Sequence, residues 1–178
     1  MGRVFGQAIA LMAALLVGGC TSVIADGAGR AANTASLDGR LECVPYARLH
    51  SGVVIYGDAY TWWTQAAGRY PRKALPSAGA VMVLFDYAGP ERGHLAVVRR
   101  LVSPREIRVD HANWLDDGAI YVNDPVVDVS ADNDWSLVRV WNIQRGAWGG
   151  RAYPVQGFIG PASGAGVARM KTNEPPDS

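Results

Sequence analysis

Cys43 stands two residues before Pro45. Within a helix, proline is accepted only in the first turn, so the pair places the cysteine at a helix N-terminus. Unpaired N–H groups and the helix dipole stabilise an anion there. Such a position can lower a thiol pKa from about 8.5 to about 3.5–7.5 and yield a thiolate nucleophile at neutral pH. The bland reading of the same residue is a small buried apolar side chain. His94 opens an apolar stretch directly after Gly93. A glycine permits close backbone approach, and a strand end holds an imidazole stiffly. Beside a thiol, that imidazole can take a proton and later deliver it to a leaving amine. A third cluster is Asp110-His111-Ala112-Asn113-Trp114. If the chain forms a hairpin about Ser103-Pro104, the end of the second strand lies beside the start of the first, and His94 faces residues near 111. Alternation puts His111 and Asn113 on one face and Asp110 and Ala112 on the other. Asp110 then points away, and His111 or Asn113 is left to orient the imidazole. Each signal alone is ordinary packing or a surface turn. Together they give a thiol, an imidazole and a polar orienting group, in that order along the chain.

Positioning these groups requires helices followed by strands. Tyr46, Leu49 and Val53 follow Pro45 at helical spacing, with Gly52 as C-cap. A second helix is predicted over 58–68, with Asp58 as N-cap and Trp62 and Ala66 on one face. Strands are predicted over 80–85, 94–102, 106–112, 120–122 and 137–141, separated by Gly, Pro and Asp turns. The order implies an α+β fold with an antiparallel meander.

Composition bounds the rest. With 178 residues, the chain is long enough for one cored domain. Lys plus Arg is 17 against 16 for Asp plus Glu, which lacks the basic excess of a nucleic-acid binder. Two cysteines, 20 and 43, supply no disulfide framework and no Cys-rich metal site. With no CxxC, a thiol redox protein is disfavoured. No metal or organic cofactor is indicated.

Residues 1–25 read as a signal peptide: Arg3, then an apolar run too short for a comfortable span. Leu16-Val17-Gly18-Gly19-Cys20 resembles a bacterial lipobox, which would make Cys20 the lipidated N-terminus. The alternative is ordinary secretion with cleavage after Ala25. Either reading puts the mature protein in the cell envelope: periplasmic, lipid-anchored or secreted. Residues 26–40 read as a flexible tether, 41–158 as the folded domain and 159–178 as a disordered tail. A monomer is expected.

The blocks Glu42-Cys43-Val44-Pro45-Tyr46-Ala47-Arg48, Gly57-Asp58-Ala59 with Trp62, Pro76-x-x-Gly79-Ala80-Val81, Gly93-His94-Leu95-Ala96-Val97-Val98 and His111-Ala112-Asn113-Trp114 resemble a CHAP domain (cysteine, histidine-dependent amidohydrolase/peptidase). The resemblance implies a papain-like fold, with N-terminal helices packed on an antiparallel sheet or half-barrel, and hydrolysis of peptidoglycan amide bonds. It makes Cys43 the nucleophile and His94 the general base. Many members carry Glu-x-Asn-Trp in the last block. Here His111 takes the Glu position, while Asn113 and Trp114 match. His111 would orient His94 without a permanent negative charge, leaving the Cys–His pair less fully ionised. Tyr46, Trp63 and Trp114 are the candidate substrate contacts. For Trp62 and Trp141, core packing is favoured, and Trp114 is also placed to shield the orienting hydrogen bond from water. The competing expectation is a catalytically inactive, envelope-anchored peptidoglycan-binding module.

Overall fold

The computed structural model describes residues 35–37 and 41–160. Residues 1–34, with the expected signal peptide and Cys20, and the expected tail from 161 onward lie outside them. Helix α1 spans Cys43–Ser51 and ends on Gly52 at φ 72°, the left-handed C-cap its sequence predicts. Its buried side chains are Tyr46, Ala47 and Ser51, whereas Leu49 is 70% exposed, so the inner face differs from the one its spacing suggested. The second helix is shorter than expected. A 3₁₀ turn, Ala59–Thr61, runs into α2, Trp62–Gln65. Asp58 does hold the N-cap position, but its carboxylate makes no capping hydrogen bond. Trp62 and Ala66 are fully buried on one face, as their spacing implies.

Nine strands follow or flank these helices: β1 Ala35–Leu37, β2 Arg72–Lys73, β3 Val81–Leu84, β4 His94–Ser103, β5 Glu106–Ala112, β6 Ile120–Asp128, β7 Leu137–Asn142, β8 Ala147–Trp148 and β9 Tyr153–Ile159. Each of the five predicted strands is present. They do not stop at a meander, however. β9 inserts between β3 and β7, and β6 also pairs β7, so β6-β5-β4-β3-β9-β7 closes into an antiparallel barrel. Closure pairs β6 with β7 only over Val126–Asp128, which leaves the start of β6 as an edge. β1 lies in the stretch assigned to the tether, yet it pairs β6 through Ala35↔Val122 and Leu37↔Ile120. Small polar composition marked that segment as linker, and the open edge of β6 captures its backbone regardless of side chains.

Strand alternation divides the apolar residues into two cores. Met82, Leu84, Ala96, Val98, Ile107 and Val109 join one buried cluster with Val138, Val140 and Phe158 from across the ring. Val81, Val83, Leu95 and Val97 join a second cluster with Tyr46, Ala47, Val53, Ile55, Trp62 and Ala66. The even-numbered positions of β3 and β4 thus fill the barrel, and the odd-numbered ones meet the helical segment. The stripe of small Ala47 and Ala66 against Val and Leu allows close approach of that segment to the wall. Trp141 is 3% exposed, in keeping with its core assignment.

Candidate active site

Cys43 is the first residue of α1, after the extended N-cap Glu42. The backbone N–H groups of Cys43, Val44 and Leu95 are directed at its sulfur. The helix therefore presents donors to the thiol as the sequence implies, but the net effect is opposite. Burial pushes the thiol pKa up, and the neighbouring Glu42 carboxylate adds to the rise. The expected lowered pKa is thus corrected: three amide donors do not offset desolvation of the anion. Alkylation of Cys43 by iodoacetamide, followed on its own peptide by mass, should be slow at pH 7. It should accelerate only above the pH range of an ordinary thiol, and fast labelling that persists below pH 7 is the contrary result.

His94 is the first residue of β4 and 2% exposed. By alternation it shares the side of Ala96 and Val98, at the end of the barrel interior. Cys43 comes from the helical layer outside the wall. The two meet where β4 begins: Cys43, Tyr87, Gly93, His94 and Asn113 line one cavity of about 210 Å³. Gly93 lets the 3₁₀ turn pack against the start of β4, because a Cβ there would lie 2.6 Å from the Tyr60 backbone nitrogen. Close approach was the role expected of that glycine.

The β4–β5 hairpin forms as anticipated, with Ser103↔Glu106 at its turn and Val97↔Asp110 further along. It brings His94 Nε2 to 3.0 Å from His111 Nδ1. Asp110 turns away, pairing with Arg99 Nε at 3.0 Å and accepting the Asn123 N–H at 2.7 Å. Asn113 follows the strand at φ 58°. Its amide donates to Glu42 Oε2 at 2.9 Å and accepts from the Gly118 N–H at 2.7 Å. The hydrogen bonds of Asn113 thus tie the helix start to the loop after β5, and the group bonded to His94 is His111.

Sequence reading missed two participants. Asp124, on β6, places Oδ2 at 3.1 Å from His111 Nε2, so a carboxylate stands behind the second imidazole. Its sequence signal was an acid inside an apolar strand, 120–128, which composition alone assigns to a turn. Tyr87 lies 5.1 Å from His94 ring to ring and donates its hydroxyl to the Trp114 carbonyl. Trp114 stacks on His111 at 5.3 Å and meets His94 edge-on at 4.9 Å. These rings pack against the two imidazoles.

Burial, then the neighbouring His111, holds the His94 pKa well below the usual imidazole range. The resting pair is therefore a neutral thiol and a neutral imidazole. This has a stability consequence. Unfolded His94 titrates near pH 6.5, whereas the folded group resists protonation. As pH falls below about 6.5, the unfolded state binds the extra proton, and stability drops by up to about 1.4 kcal/mol per pH unit until the folded pKa is reached. Urea unfolding at pH 7.5 and 5.5 should show this loss in the parent and a smaller one in His94→Gln. Equal pH dependence of the two proteins is the opposing outcome.

Beside Cys43 opens a cleft of about 490 Å³ lined by Glu42, Cys43, Val44, Gly57, Asp58, Ala59, Glu91, Arg92 and Gly93. The three expected aromatic contacts do not line it. Tyr46 and Trp114 are each 5% exposed, the first in the core beneath α1 and the second over the imidazoles. Trp63 stacks under the Arg72 guanidinium at 4.9 Å and covers Gly157. These rings pack against His50, the Arg72 guanidinium and the two imidazoles, and the cleft is lined by other residues. No group of three or more potential metal ligands occurs among the described residues.

Residues 33–113 match the family model described as CHAP domain, the family whose motifs the sequence resembles. No curated protein and no solved structure matches the chain.

Proposed function

We propose, taking the CHAP domain of residues 33–113 as premise, that this protein is a cysteine-dependent hydrolase of peptidoglycan amide bonds. The observation that carries the reading is the meeting of Cys43 and His94 in one cavity, with His94 hydrogen-bonded to a second histidine. His94 takes the proton of the Cys43 thiol as sulfur attacks the amide carbonyl. Because both groups rest neutral, proton removal accompanies attack rather than preceding it. The oxyanion is held by backbone N–H groups at the start of α1, those of Cys43 and Val44. The C–N bond breaks as His94 returns the proton to the leaving amine. Water, activated by the same imidazole, then hydrolyses the thioester and frees the thiol. His111 orients His94 throughout. A lipid anchor at Cys20 and a place in the cell envelope complete the proposal.

The test is mass spectrometry of purified peptidoglycan after incubation with the chain and, in parallel, with Cys43→Ala. Soluble fragments that depend on Cys43 establish the hydrolase, and their masses name the bond. Stems freed whole from sugar mark an amidase, and shortened stems mark an endopeptidase. A folded chain that sediments with peptidoglycan but releases nothing is the inactive binding module instead.

A further inference from the structure

We infer that Asp124 is a positioning residue that sets the tautomers of both imidazoles and leaves His94 Nδ1 bare to receive a proton; identifying that proton with the Cys43 thiol rests on the proposed hydrolase. Asp124 is fully buried, and its Oδ2 meets His111 Nε2 at 3.1 Å. Burial pushes the Asp124 pKa up, while the His111 hydrogen bond and the charges of His111 and Arg108 oppose the rise; as a carboxylate Asp124 can only accept, so His111 carries its proton on Nε2. In a neutral ring the other nitrogen is then a bare acceptor. The 3.0 Å contact between His111 Nδ1 and His94 Nε2 must therefore be donated by His94. With its proton on Nε2, His94 has an open lone pair on Nδ1. One carboxylate thus specifies two rings in sequence.

The backbone is arranged for this contact. Asn123, just before Asp124, sits at φ 55°, and the β5–β6 register shifts between Val109 and His111. Such an irregularity re-aims a side chain out of simple alternation. Asp110, the nearer acid in sequence, is already held by Arg99 and by the Asn123 N–H. Among the described residues, Asp124 Oδ1 has no hydrogen-bond partner, so its Oδ2 contact with His111 is the one side-chain hydrogen bond the carboxylate makes there. Trp114 and Tyr87 pack against the rings.

The test reads the tautomers directly, by two-bond ¹H–¹⁵N correlation on the ¹⁵N-labelled chain at pH 7.5. The chain has three histidines, and a His50→Gln sample removes the third signal. His94 and His111 should both show Nε2–H with a bare Nδ1. In Asp124→Asn, which is nearly isosteric, the amide can donate to His111 Nε2. Both rings should then shift toward Nδ1–H, and kcat for fragment release should fall by about 10³-fold or more with little change in KM. Nδ1–H on His94 in the parent chain overturns the inference, even if the variant fails to fold. So do unchanged tautomers in a folded Asp124→Asn. If the parent chain hydrolyses nothing, Nε2–H on both rings still upholds the role of Asp124, and only the hydrolase reading falls.

Discussion

Cys43→Ala is expected to melt like the parent chain and to release peptidoglycan fragments at least about 10⁴-fold more slowly. The two halves of this expectation have separate causes. The sulfur is a partly buried group at the first position of α1, and α1 is held by Tyr46 and Ala47 in the core and by Gly52 at its end. Removing one sulfur there leaves the helix and its N–H groups in place, so the stability change should stay within about 1 kcal/mol. The proposed catalysis, by contrast, loses its nucleophile. His94, His111 and Asp124 can still hold a proton chain, but no covalent intermediate can form. What survives is whatever the amide donors at the helix start give to an attacking water. A thermal melt together with a fragment time course separates the outcomes. A variant that melts normally and still cuts at near the parent rate excludes Cys43 as nucleophile.

Gly93→Ala should damage both the fold and the site. An added Cβ would lie 2.6 Å from the Tyr60 nitrogen, 2.9 Å from the Tyr60 Cα and 3.0 Å from the Ala59 carbonyl carbon. All three are backbone atoms and cannot turn aside by a rotamer change. Either β4 or the 3₁₀ turn must move, at a cost of about 1–3 kcal/mol. The next residue is His94, so the displacement passes directly to the imidazole. A shift of about 1 Å at a reacting group can cost about 10²-fold in rate. Gly150→Ala is the control, because nothing lies within 4 Å of a Cβ there. It should change stability by no more than about 0.5 kcal/mol. Denaturant midpoints and fragment release for the two variants test this directly, and a neutral Gly93→Ala would place the contact between β4 and the 3₁₀ turn in doubt.

Local patterns carried much of this molecule. Pro45 and Gly52 bracket α1 because one fixes φ for a first turn and the other tolerates the left-handed cap. Five strands were legible from short apolar runs between turn residues, and the hairpin at Ser103-Pro104 put His94 beside His111 with Asp110 facing away. Those are consequences of period and turn chemistry, which act without help from the rest of the fold. The second helix was overdrawn for the same reason: Trp62 and Ala66 show helical spacing, but only four residues there complete an α-helix.

By itself, then, the sequence determined the identities of Cys43, His94 and His111, their order, and the elements that carry them. Tertiary structure alone decided the rest. Barrel closure by β9, which no local pattern announces, turned a meander into a walled interior and buried the imidazoles in it. Packing of the helical layer on the outer side of the wall buried the thiol and reversed its expected ionisation, because desolvation depends on what packs around a group and not on its neighbours in sequence. Packing likewise left Tyr46 and Trp114 each 5% exposed and outside the lining of the cleft beside Cys43. Asp124 was invisible for the most general reason. Its partner lies across the β5–β6 pair, whose register shifts between Val109 and His111, and Asn123 just before it sits at φ 55°. A register shift is fixed by the sheet that forms around it, so only the assembled barrel could show which acid stands behind His111.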